Sequence, residues 1–228
     1  MLAGLVHEGT RRIDKAGQGV RPDAGLSVRP RRRFVSRGGD KLEAALERFS
    51  IDVSGRACLD AGCSTGGFTD CLLQRGAARV YAVDVGYGQF AWSLRQDPRV
   101  VLMERTNVRK VDPGALVPPP SVIVADLSFV SLRSVLPPLV SLAEAAEVDV
   151  TFVLLVKPQF EVAAAELDRG VVRSAEAREA AVQAVEAAVL ASGLKPVGSM
   201  ESPLPGADGN VEVLLVATRA GAVDFPRG

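Results

Sequence analysis

The chain has 228 residues, of which 47% are hydrophobic and 24% charged, a globular composition that excludes wholesale disorder. Its longest apolar runs, 152–156 and 213–217, fall far short of the ~20 residues that span a bilayer, and no secretory signal is expected. Three cysteines and a single histidine, His7, exclude disulfide scaffolds, His/Cys zinc sites and most nucleophile–histidine arrangements. The expectation is a reduced, cytoplasmic protein without a metal.

The zero net charge conceals an asymmetry, because residues 1–41 carry +6 and the remaining chain −6. A basic arm on a mildly acidic body is a footprint for a polyanion, nucleic acid before anionic membrane. Arg31, Arg32, Arg33 and Arg37 are the candidate phosphate contacts. Residues 1–33 lack a sustained apolar period and predict a poorly cored arm. A domain over 34–220 and a tail over 221–228 follow.

Taken in chain order, Leu42, Ala45, Leu46 and Phe49 recur at helical spacing and predict a short amphipathic helix. A strand is expected from Ala57 to Asp60, and the glycines after it open a helix over 70–75 that Gly76 stops. Further strands are predicted at 79–85, 100–104, 122–126 and 152–157, with a helix over 134–147 between the last two. A long Ala-rich helix over 176–190 and an apolar strand over 211–218 complete the pattern. Short apolar strands separated by helices imply an α/β, mainly parallel sheet covered on both faces. Ligands of such sheets sit beyond the carboxyl ends of the strands, where Asp60, Asp84, Asp126 and Lys157 are expected.

After the first of these strands the chain reads Leu59-Asp60-Ala61-Gly62-Cys63-Ser64-Thr65-Gly66-Gly67-Phe68. Its glycines permit a tight turn and close approach of a ligand to the backbone. The loop matches neither GxGxxG nor GxxxxGK[ST], so a pyrophosphate is not what it is built for. An acid ahead of the first glycine suits a cofactor with a cationic amino-acid head, such as S-adenosylmethionine. Asp84, at the end of the next strand, stands where an acid accepts both hydroxyls of a cofactor ribose.

Several longer segments carry a resemblance. They are 34–42 (Phe34-Val35-Ser36-Arg37-Gly38-Gly39-Asp40-Lys41-Leu42), the glycine loop, 83–89, 104–109, Asp126-Leu127-Ser128-Phe129-Val130-Ser131-Leu132, Lys157-Pro158-Gln159-Phe160-Glu161 and 206–212. Together they resemble the TlyA (hemolysin A) family of FtsJ-like ribosomal RNA 2′-O-methyltransferases, over residues 34–218. The resemblance implies a Rossmann-like class I methyltransferase with a seven-stranded sheet, S-adenosylmethionine as cofactor, and ribosomal RNA within ribosomal subunits as partner. It implies a catalytic tetrad of Lys41, Asp126, Lys157 and Glu212. Lys157 would act on the 2′-oxygen, Asp126 would steer it, and Lys41 and Glu212 would hold the ribose and its phosphate. On the cofactor side it implies Asp60, Gly62, Ser64 and Gly66 at the methionine end, Asp84 with Val85 at the ribose and adenine, and Asn107 at the adenine amino group, with Thr65, Gly67 and Val108 as further cofactor contacts.

Phe68 and the cysteines are read as core. Tyr87, Phe90 and Trp92 are either core or base-stacking residues. Members of the family usually begin with a longer S4 RNA-binding domain, of which residues 5–28 resemble a shortened second half. The competing readings are a catalytically idle RNA-binding protein, a membrane-active hemolysin and, weakest, a nicotinamide dehydrogenase. If the arm binds phosphate, changing Arg31, Arg32 and Arg33 to alanine weakens RNA binding across sequences and flattens its salt dependence by up to about three counterions. Filter binding across a salt series measures that slope; an unchanged slope makes the arm a solvated tail.

Overall fold

The two central apolar runs form strands buried along their whole length, as a sheet covered on both faces requires: every residue of Ala57–Ala61 and of Val122–Ala125 is buried. The computed structural model describes residues 6–221 apart from 14, 16, 22 and 29–31. The predicted contact at Arg31, and the 222–228 part of the predicted tail, lie outside the described residues.

The chain divides into two compact units, Met1–Arg33 and Phe34–Gly228. In the first, β1 (Val6–Glu8), β2 (Arg11–Arg12) and β3 (Leu26–Val28) form an antiparallel sheet in the order β2-β1-β3. The sequence predicts no strands here. Pairing arises because Gly9 adopts a left-handed turn between β1 and β2, and Glu8 attracts both Arg11 and Arg21, at 3.5 and 3.6 Å.

The second unit opens with α1 (Arg37–Arg48), β4 (Ala57–Ala61), α2 (Gly67–Gln74), β5 (Arg79–Val83), α3 (Trp92–Arg95) and β6 (Val100–Met103). It continues with β7 (Val122–Ala125), α4 (Leu136–Ser141), β8 (Val150–Val156), α5 (Ala175–Ala191), β9 (Lys195–Glu201) and β10 (Val213–Arg219). The seven strands are ordered β6-β5-β4-β7-β8-β10-β9. The first five run parallel, while β10 is antiparallel to both β8 and β9. This is the Rossmann-like α/β fold expected from the alternation of strands and helices.

Three expectations change. β9 is not predicted, because Pro196 and Gly198 interrupt an alternating, half-exposed strand that carries little apolar signal. The helix expected over 134–147 shrinks to α4, preceded by a 3-10 turn at Leu132–Ser134. Most strand ends move by one or two residues, and β4 extends one residue past Asp60 because Ala61 pairs with both Val83 and Ala125.

Side-chain alternation along the strands builds two cores. Leu59, Tyr81, Ile123 and Phe152 point to the face covered by α4 and α5, with Leu136, Leu139, Val185 and Val189. Cys58, Val80, Val124 and Val153 point to the face covered by α1 and α2, with Leu42, Leu46 and Leu72. Register then fixes the functional edge. Ala61 lies opposite Val83 and Ala125, and Ala125 opposite Leu154, so β4, β5, β7 and β8 end on one side of the sheet. Val213, the first residue of β10, pairs with Val156, the last of β8. Glu212 and Lys157 are therefore brought to the same edge from strands of opposite direction.

Candidate active site

Beyond this edge lie two cavities that share a wall. The larger, about 560 Å³, is lined by Gly62 and Ser64 of the glycine loop, by Asp84–Gly86, by Thr106–Arg109 and by Asp126–Val130. It lies at the point where the strand order reverses between β4 and β7, the usual ligand crevice of such sheets. The smaller, about 200 Å³, is lined by Ser36–Gly38, Lys41, Gly62–Thr65, Gly67, Phe68 and Asp126. Gly62, Ser64 and Asp126 line both, and so mark the junction.

The glycine loop is tight for a steric reason. A Cβ on Gly62, at φ +85°, would come within 2.5 Å of the Asp126 carbonyl oxygen, and one on Gly67 would collide with Ser36 Oγ. Ser64 is left-handed too, at φ 46°, and its N–H donates to Asp84 Oδ2 at 2.7 Å. Gly86 N–H donates to Asp84 Oδ1, also at 2.7 Å. Asp84 is thus clamped by two backbone donors, yet each carboxylate oxygen keeps a further lone pair toward the cavity.

Val85 is exposed on the cavity wall, and Val108 forms buried floor. Asn107 caps the 3-10 turn Val108–Lys110 by accepting from Arg109 N–H at 3.0 Å, which leaves its amide nitrogen for a ligand. A cavity of this size with a clamped acid at one end and a polar amide at the other fits an adenosyl cofactor.

Four of the expected residues form two ion pairs. Lys41, on the second turn of α1, donates to Glu212 Oε2, with both side chains almost wholly buried. Lys157 Nζ lies 2.6 Å from Asp126 Oδ1 and also donates to Ser128 Oγ at 2.9 Å. Buried charges survive only when paired, and each lysine here has its own acid. Arg37 lies on the rim of the smaller cavity, while Arg32 and Arg33 are exposed residues of the first unit.

Two expected cofactor contacts need correction. Asp60 sits inside β4 rather than at its end, is fully buried, and lines neither cavity. Its Oδ2 accepts from Thr69 Oγ1 at 2.6 Å, and its Oδ1 has no hydrogen-bond partner among the described residues. Gly66 packs under Leu94 and Phe90 instead of facing a cavity. Thr65 and Gly67 line the smaller cavity rather than the larger.

Phe68 and Phe90 are core, whereas Tyr87 and Trp92 are exposed, Tyr87 beneath the Arg105 guanidinium at 4.1 Å. The cysteines are buried, and burial pushes the Cys58 thiol up to about 12 and raises Cys63 as well, so neither is a nucleophile.

Ser128, Phe129 and Glu161 belong to the segments that carry the resemblance, but sequence reasoning gave them no role. Phe129 is 92% exposed at φ 62°, with its ring centroid 5.3 Å from that of Phe160. Among the described residues, no helix is long and apolar enough to cross a membrane.

Comparison with known proteins agrees with this geometry. The FtsJ-like methyltransferase family model matches residues 34–219. A Mycobacterium tuberculosis 16S/23S rRNA (cytidine-2′-O)-methyltransferase, TlyA, is 50% identical over 93% of this chain and 81% of its own length. Hemolysin A of Brachyspira hyodysenteriae is 38% identical over 94% and 89%. The crystal structure of a Lactococcus lactis protein described as a hemolysin superposes with a TM-score of 0.80 at 41% identity, covering 84% of this chain and 91% of that one.

Burial pushes the Asp60 carboxyl up to about 7 from its ordinary 3.8, helped by Asp126 and Asp84 and opposed by the Thr69 hydrogen bond. Between those two values the folded protein alone holds the proton, so stability falls as pH rises through that window and levels off above it. Asp60→Asn is therefore expected to gain stability over the wild type from pH 5 to about pH 7 in urea unfolding, by up to about 1.4 kcal/mol per pH unit, and to hold a constant difference above that. A difference that is constant below that point too places the titration elsewhere. With a family match over residues 34–219, a half-identical relative over most of the chain, and both ion pairs at one sheet edge, the chain belongs to the FtsJ-like methyltransferase family.

Proposed function

We propose that this chain is an S-adenosylmethionine-dependent methyltransferase acting on a ribose 2′-hydroxyl of ribosomal RNA in the cytoplasm. The observation that carries the proposal is the position of Asp126. It lines both the cofactor-sized cavity and the smaller polar one, and it is paired to Lys157. The names of the similar rRNA 2′-O-methyltransferases supply the substrate class. The larger cavity takes the cofactor, with Asp84 at its ribose, Asn107 at its adenine, and Gly62 and Ser64 at its methionine end. When bound, the cofactor supplies a methyl group already activated by a sulfonium.

A ribose hydroxyl is a weak nucleophile, and its alignment and the removal of its proton are what the protein must contribute. Lys157 is the group placed for the 2′-oxygen. Asp126 and Ser128 fix its Nζ from two sides, which limits the directions in which it can exchange a hydrogen bond. Asp126 also puts negative charge at the junction, which offsets positive charge from both sides of it. Lys41 lines the smaller cavity together with Asp126 and is neutralised there by the buried Glu212. Arg37, on the rim of the smaller cavity, is placed for an RNA phosphate. Phe129 and Phe160 offer an aromatic face for a base next to the reacting ribose.

Asp84→Ala is expected to weaken S-adenosylmethionine binding at least tenfold by calorimetry, about 1.4 kcal/mol for the lost ribose hydrogen bonds. Lys157→Ala should slow single-turnover methyl transfer about 10²–10⁴-fold while cofactor affinity stays near wild type. Lys157→Arg should be nearly as slow, since a guanidinium keeps its proton at neutral pH. RNA with a 2′-deoxy target nucleotide should accept no methyl group. Methylation of that substrate would move the activity from ribose to base and remove the tetrad from the mechanism.

A further inference from the structure

The loops after β7 and β8 carry Asp126 and Lys157, and Asp126 N–H still donates to the Ala61 carbonyl of β4 at 3.0 Å. Beyond that bond, side-chain contacts tie the two loops together. Three contacts do so in succession along both loops. Lys157 meets Asp126 and Ser128, Phe160 packs against Phe129, and Glu161 meets Ser131, Leu132 and Arg133.

The third contact is the densest. The Glu161 side chain is 1% exposed. One oxygen accepts from Leu132 N–H at 2.7 Å, and the other from Ser131 Oγ at 2.5 Å and Arg133 Nε at 3.1 Å. Arg133 Nη2 also donates to the Glu161 carbonyl at 3.1 Å. A buried carboxylate saturated by donors from one short segment is rigid, because any displacement strands a charge or a backbone N–H.

We propose that Glu161 is a positioning residue for methyl transfer: by locking the loop after β8 to the loop after β7, it fixes Lys157 against Asp126, the residue that lines both cavities. Glu161 itself touches neither cavity and meets no reacting atom. The inference rests on the reading of Lys157 and Asp126 as the catalytic pair. Glu161→Gln tests it closely. The amide keeps the shape but can satisfy only one of the two donor sets, since its nitrogen faces either Leu132 N–H or the Arg133 guanidinium.

The experiment uses the full chain, tritiated S-adenosylmethionine and purified small and large ribosomal subunits from cells lacking this methylation. Single-turnover transfer by Glu161→Gln should be about 10- to 100-fold slower, the scale of a misplaced catalytic group. Dissociation constants for S-adenosylmethionine and for the subunits should stay within about twofold of wild type, as for a loss confined to the transition state. A wild-type transfer rate overturns the proposal. So does a loss of rate matched by equal losses of cofactor binding and of near-ultraviolet circular dichroism, which is what a merely structural residue gives. Should Glu161→Gln not fold, Arg133→Gln carries the test from the half-exposed end of the contact, and an unchanged rate there overturns the proposal equally. Because the readout is methyl transfer to any acceptor, a base-methylation product would refute the ribose reading while leaving the effect of Glu161 measurable.

Discussion

Opposed charges can meet at this site because the sheet reverses direction once. Parallel strands alone would deliver only their carboxyl ends to the functional edge, and those ends supply Asp84, Asp126 and Lys157. The antiparallel β10 brings an amino end to the same edge, and with it Glu212. Glu212 can then neutralise Lys41, which reaches the edge from α1. Without that reversal Lys41 would be a buried cation with no counter-charge, which a fold does not tolerate.

The two ion pairs divide the work by their burial. Lys41 and Glu212 are closed off almost completely, so their mutual attraction serves mainly to keep a charged wall from moving. In the other pair Lys157 is almost as buried as Lys41, but Asp126 is a quarter exposed and lines both cavities. A third carboxyl, Asp60, is buried deeper than either pair and has no cation at all, which is why burial raises its proton affinity instead of an ion pair lowering it. Asp60 therefore adds no full negative charge beside Asp126 and Asp84 below neutral pH.

Much of this was legible in the chain because the strands are short apolar runs with functional residues just past their ends. Asp84, Asp126 and Lys157 were placed by that rule alone, and the glycine loop by its departure from the dinucleotide pattern. Lys41 and Glu212 were not legible that way; only the resemblance joined two residues so far apart in sequence. Asp60 misled because periodicity gives strand ends to within a residue or two, and one residue reverses the direction of a side chain. Ser128, Phe129 and Glu161 escaped notice because they act across irregular loops, where no period links sequence spacing to contact. β9 was missed since a strand with one neighbour and one free edge needs little apolar character.

That free edge has its own consequence. An unpaired strand edge exposes a row of backbone donors and acceptors to which another polypeptide can add. β9 begins Lys195-Pro196, so it opens with a charge and with a residue that has no N–H to offer. Its pairing with β10 also slips between Val216 and Ala217, which bends the ladder locally. The irregularities that hid this strand from sequence reading are the ones that discourage the sheet from growing into an aggregate.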